Sequence, residues 1–74
     1  MKLAAKLLGD YIERTGATRT SVAKKVPCSL PYLSELIKGR KDNPSIEVMA
    51  GVQAATDREV KIEYWGEEYV ETKL

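Results

Sequence analysis

The 74-residue chain has no histidine and a single cysteine, Cys28. Those two absences exclude the usual zinc ligand sets, the Cys-His and Ser-His nucleophile pairs and any disulfide within the chain. Long apolar runs are also missing: no stretch approaches the ~18 consecutive apolar residues that a membrane span needs. The opening Met-Lys-Leu-Ala-Ala is broken at Lys6 and again at Gly9-Asp10, too early for the apolar region of a secretion signal. A lone cysteine, expected to be reduced, suits a soluble cytoplasmic protein. There is no internal repeat and no low-complexity tract. A chain this short buries only ~60% of the surface its unfolded form exposes, so one core and one domain are expected. The expectation is binding without catalysis, and without a metal, cofactor or small-molecule ligand.

What is present begins with charge. Lys and Arg number 12 and Asp and Glu 11, a net charge of only +1. Divided after Pro44, the chain is lopsided. Residues 1–44 hold nine basic side chains and four acidic ones, giving +5, whereas residues 45–74 hold three basic and seven acidic, giving −4. Such a split suits a protein with one face toward a polyanion and the other turned away.

Hydrophobic period and punctuation then divide the chain. Leu3, Leu7, Leu8, Tyr11 and Ile12 recur at helical spacing and Gly16 follows, which predicts an amphipathic helix over 2–15. Thr18 is placed to cap a second short helix with Val22, Ala23 and Val26 inward, ended by Pro27. Ser29 caps a third helix with Pro31 in its first turn, running to about Lys38, and Gly39 supplies its left-handed end. Ser45 caps a fourth helix over about 46–56, expected to bury Ile46, Met49, Ala50 and the edges of Gln53 and Ala54.

From Glu59 the period changes to two. Val60, Ile62 and Tyr64 alternate with Lys61, Glu63 and Trp65, which predicts a strand, with Gly66-Glu67-Glu68 as a loop and Tyr69–Thr72 as the returning strand. A three-residue loop aligns Val60, Ile62 and Tyr64 with Leu74, Thr72 and Val70; a two-residue turn instead relieves like-charge pairs. Apolar burial favours the first. The expected fold is mainly α, four or so short helices containing a helix-turn-helix, with a C-terminal β-hairpin. Residues 1–58 form the helical part, and 59–74 a hairpin of the same domain.

The informative stretch runs from Arg19 to Pro44: a short helix, a tight turn, a second short helix and a basic loop. Val22, Ala23, Val26, Leu33, Leu36 and Ile37 supply the packing such a pair needs. On a wheel with Leu33, Leu36 and Ile37 inward, Pro31, Glu35 and Lys38 face out, Tyr32 and Ser34 flank them, and Leu30 lies at the exposed N-terminal end. A mixed face of this kind suits base edges in a major groove. Thr18, Arg19 and Thr20 sit at a helix N-terminus, where free N–H groups and the macrodipole favour a phosphate. Arg40, Lys41 and Asn43 follow the third helix on a loop suited to the same backbone.

Residues 19–45, taken without a gap, resemble the helix-turn-helix of the Cro/C1 repressor family, and residues 2–56 resemble its helical framework. The resemblance implies that Ala23 is the small crossing residue, Arg19 the first-turn phosphate contact and Gly39 the glycine after the recognition helix. It assigns base reading to Leu30, Pro31 and Glu35. Two departures stand out. Pro27 takes the place of the family's turn glycine, and Leu30-Pro31 the place of paired amides. Direct readout then falls to thymine-methyl contact, to Glu35 accepting from cytosine N4, and to Tyr32, Ser34 and Lys38.

Some Cro proteins dimerise through terminal strands. The resemblance therefore implies a homodimer through Val60, Ile62, Tyr64, Trp65 and Tyr69, bound to a pseudo-palindromic double-stranded DNA operator in a bacterial host cell or its nucleoid. The implied role is transcription regulation, as a phage-type repressor. The competing expectation is a protein-interaction module, such as an antitoxin-like or anti-repressor partner, that binds protein through Trp65, Tyr64 and the acidic tail.

Overall fold

In the computed structural model, residues 1–41 and 43–70 are described. Four helices succeed one another: α1 (Leu3–Thr15), α2 (Arg19–Lys25), α3 (Leu30–Ile37) and α4 (Ile46–Ala55), followed by one 3-10 turn, Ile62–Gly66. Their boundaries follow from local chemistry. The hydroxyls of Thr18, Ser29 and Ser45 accept the N–H groups of Ser21, Tyr32 and Val48 at 3.1, 3.2 and 3.3 Å, satisfying donors that a helix start leaves unpaired. Helix α3 stops at Gly39, whose φ of 78° is left-handed. There the N–H of Arg40 reaches the Glu35 carbonyl at 3.0 Å and that of Gly39 the Leu36 carbonyl at 3.1 Å.

The core gathers Leu8 from α1, Val22 and Ala23 from α2, Val26 after it, Leu33 and Leu36 from α3, and Val52 and Ala55 from α4, closed by Val60 and Trp65. Helix α2 packs on α3 and α4, and α1 on α3; the 3-10 turn lies against α1 and α4. Between α2 and α3, Pro27 follows Val26 through a cis peptide bond, and the Cys28 N–H returns to the Ala23 carbonyl at 2.8 Å. The Cys28 side chain packs half-buried against the core, and burial pushes its thiol pKa up.

Two helices present a different side to the core than spacing alone implies. The inward line of α1 centres on Ala4, Ala5 and Leu8, with Leu7 and Ile12 at its margins. Alanines let neighbouring elements approach closely, so the axis turns toward them. In α4 the buried residues are Val52 and Ala55, with Val48 and Met49 packed beside them, whereas Ile46, Ala50 and Ala54 are exposed, Ile46 by 63%. That helix is apolar on nearly every side, so periodicity cannot select its phase.

The C-terminal β-hairpin is not present: the described residues contain no strand. Over the segment read as the first strand and its turn, residues 62–66 coil into the 3-10 turn. The reason lies in what the core takes in. Val60 is fully buried and Trp65 is 3% exposed, but an odd separation puts these two on opposite faces of a flat strand. Coiling brings both inward. With 62–66 coiled, neither hairpin register can form; residues 71–74 of the returning strand lie outside the described residues.

Side chains of α4 hold this tail. The buried Thr56 hydroxyl donates to the Val52 carbonyl at 2.8 Å and accepts the Val60 N–H at 3.2 Å, and Gln53 Oε1 accepts the Ile62 N–H at 3.2 Å. Beyond the turn the chain pairs with its own N-terminus. An isolated antiparallel bridge joins Lys2 and Glu68, flanked by hydrogen bonds from the Leu3 N–H to the Glu67 carbonyl and from the Tyr69 N–H to the Met1 carbonyl, at 2.7 and 2.9 Å.

Candidate nucleic-acid interface

Helices α2 and α3 meet through Val22, Ala23, Leu33 and Leu36, all buried. Burying that side fixes which residues of α3 remain outside. Leu30, Pro31 and Lys38 are exposed, while Tyr32, Ser34 and Glu35 are half-buried. Tyr32 belongs partly to the fold, since its ring packs against the core.

Two guanidinium groups approach the middle of this outer face. Arg19, from the start of α2, places Nη1 3.5 Å from Ser34 Oγ. Arg40, from beyond the end of α3, places Nη1 3.5 Å from Glu35 Oε2. Adjacent residues of α3 are thus approached by cations from opposite ends of the motif. Spacing alone does not predict the Arg40–Glu35 pair, because residues five apart do not share a helix face. The reversal at Gly39 is what brings them together.

The remaining candidates lie around these. The hydroxyl of Thr18 is engaged in capping, and Thr20, Lys41 and Asn43 are exposed. The residues expected to dimerise are not assembled into a free face. Val60 and Trp65 belong to the chain's own core, Tyr64 packs against it, and Ile62 and Tyr69 are half-buried. The ring of Tyr69 lies beneath Lys6, whose Nζ is 5.4 Å from its centroid.

Folding also redistributes the charge. Lys2 pairs with Glu68 at 2.8 Å, Lys6 with Asp10 at 3.1 Å, and Arg14 with Glu59. Hydrogen bonding and proximity to Asp10 raise the Lys6 pKa above its ordinary value, and the same relation to Lys2 lowers that of Glu68. The acidic C-terminal half therefore answers two of the three cations in and just before α1. Among the described residues, the cations without a carboxylate partner in the first half are Arg19, Lys24, Lys25, Lys38 and Lys41, all in α2 or in and after α3.

No three His, Cys, Asp or Glu side chains among the described residues converge to hold a metal ion, and no helix among them is long and apolar enough to cross a membrane. Comparisons with protein-family models, curated proteins and solved structures return no match to this chain.

Proposed function

We propose that this chain is a helix-turn-helix regulator that binds double-stranded DNA sequence-specifically, with α3 as recognition helix, and represses transcription by occupying an operator. The observation that carries this reading is the segregation of charge. Cations near the N-terminus are neutralised within the fold, whereas the unpaired cations of the first 44 residues belong to α2 or follow α3, whose outer face mixes exposed apolar groups with a half-buried hydroxyl and carboxylate. Phosphates need only charge, and base edges need such a mixed face. On this reading Arg19 and Lys41 give affinity, Leu30 and Pro31 meet thymine methyls, Glu35 accepts from a cytosine amino group, and Lys38 reads beside it.

An eight-residue recognition helix reads few base pairs, so the proposal includes two copies on a pseudo-palindromic site with half-sites ~34 Å apart. Because Val60 and Trp65 are used within each chain, pairing is proposed to occur on the DNA rather than through the tail. The site of action is the cytoplasm. The alternative, a protein-binding module, rests on Trp65, Tyr64 and the acidic tail; Trp65 is buried and Tyr64 packs against the core, whereas Glu67 and Glu68 are exposed.

Selection from a random duplex pool tests the reading, followed by affinity measurements at several salt concentrations. The expected result is an enriched, two-fold related sequence whose binding weakens steeply with salt. Failure to retain any duplex at low salt would overturn it.

A further inference from the structure

Glu35 poses a problem for any polyanion partner, because it is the carboxylate on the outer face of α3. Left alone it would oppose the approach of phosphates, and its side chain could swing among several rotamers. The fold supplies a counter-charge in Arg40. After the chain reverses at Gly39, the Arg40 main-chain N–H is tied to the Glu35 carbonyl at 3.0 Å and its guanidinium reaches Glu35 Oε2 at 3.5 Å.

We infer that Arg40 is a positioning residue for base readout: it neutralises and orients the Glu35 carboxylate, leaving Oε1 to accept from a cytosine amino group. The inference rests on the DNA-binding reading above and changes the role that sequence alone assigns to Arg40, which was contact with phosphate. A carboxylate offers lone pairs on both oxygens, so one contact to Arg40 leaves acceptor capacity for a base. Arg19 provides the contrast. Its partner is a neutral hydroxyl, Ser34, so it has no charge to compensate and stays available to the backbone.

The experiment compares the intact chain with Glu35→Gln, Arg40→Gln and the double variant by selection from the same random duplex pool, followed by titration on the selected sites. The wild-type chain is expected to enrich cytosine at one position of each half-site, and Glu35→Gln to lose that preference about tenfold, the size of one good base contact. Arg40→Gln should lose the preference at that same position, and the double variant should lose no more than either single change. A uniform loss of affinity in Arg40→Gln with the preference intact would overturn the inference and return Arg40 to a phosphate contact. So would a preference lost at a different position. A wild-type chain that selects no duplex would instead remove the DNA-binding reading itself. The capping bond of Arg40 is made by its main chain, so Arg40→Gln should melt as the wild type does.

Discussion

A Cβ atom on Gly51 would lie 1.8 Å from the carbonyl oxygen of Val26, well inside any non-bonded approach. The backbone of α4 is pressed there directly against the end of α2, just before the turn that leads into α3. Gly51 thereby sets how deeply α2 seats. Gly51→Ala forces two main chains apart, and no flexible side chain can yield in their place. Overpacking of this kind costs about 3 kcal/mol or more, a large share of the ~4–11 kcal/mol expected for a domain of this length. A circular-dichroism melt should show a strongly destabilised or unfolded chain; a melting temperature near that of the wild type would show that the crossing can relax.

Thr56 joins α4 to the tail through its hydroxyl, buried and both donating and accepting. Thr56→Val keeps the shape but leaves the Val60 N–H unpaired in the interior, which should cost about 1–3 kcal/mol. Thr56→Ser retains the hydroxyl and should recover much of that loss. Urea titrations of the two variants distinguish the hydrogen bond from the packing, since a Thr56→Ser chain no more stable than Thr56→Val would show that the hydroxyl contributes no more than the methyl that serine lacks.

Trp65 and Val60 are core residues, so changes to them should unfold the monomer rather than dissociate a dimer. Trp65→Ala is expected to cost about 3–5 kcal/mol, and a chain cut after Asp57 should lose cooperative melting. In sedimentation without DNA, the intact chain should run as a single copy at micromolar concentration. A stable, folded truncated chain would show that the four helices suffice.

On the DNA-binding reading, Arg19 is a phosphate contact. Arg19→Ala should weaken binding to all duplexes alike and reduce the slope of log affinity against log salt by about one. An altered base preference would instead make its contact with Ser34 part of readout.

The termini carry a pH-dependent element. Hydrogen bonding and proximity to Lys2, with the N-terminal amine adding to them, hold Glu68 below its ordinary pKa. A group with a depressed folded pKa contributes stability above its unfolded value, about 4.3 for Glu, and loses it as pH falls through the lower folded value. Protection of the Leu3 and Tyr69 amides from hydrogen exchange, corrected for the intrinsic rate, should therefore decline at acid pH. Glu68→Gln should flatten that decline; an unchanged profile would assign it to other groups.

Local chemistry is where the sequence was most legible. The caps at Thr18, Ser29 and Ser45, the stop at Gly39 and the inward set Val22, Ala23, Val26, Leu33 and Leu36 depend on neighbours within a few residues, and each stands where spacing and side-chain chemistry place it. The outward positions on α3 follow from that set, so the candidate site was legible as a face. Its Arg19–Ser34 and Arg40–Glu35 pairs were not, since they depend on where a helix crossing and a chain reversal carry long side chains.

The tail shows the limit most clearly. Alternation from Val60 to Trp65 is a valid strand signal, but a strand also needs a partner and one apolar face. The core instead accepts Val60 and Trp65 together, Thr56 and Gln53 satisfy the backbone of the coil, and residues 1–3 meet the segment that follows. The same holds for charge. Sequence alone determined that the first 44 residues carry an excess of +5 and the rest −4, but only the tertiary structure decided which cations are neutralised, because ion pairs form between groups that folding brings within a few ångströms. The helices and their ends were written in local chemistry; the phase of α4, the coil of the tail and the unpaired cations around α3 were decided by packing across the chain.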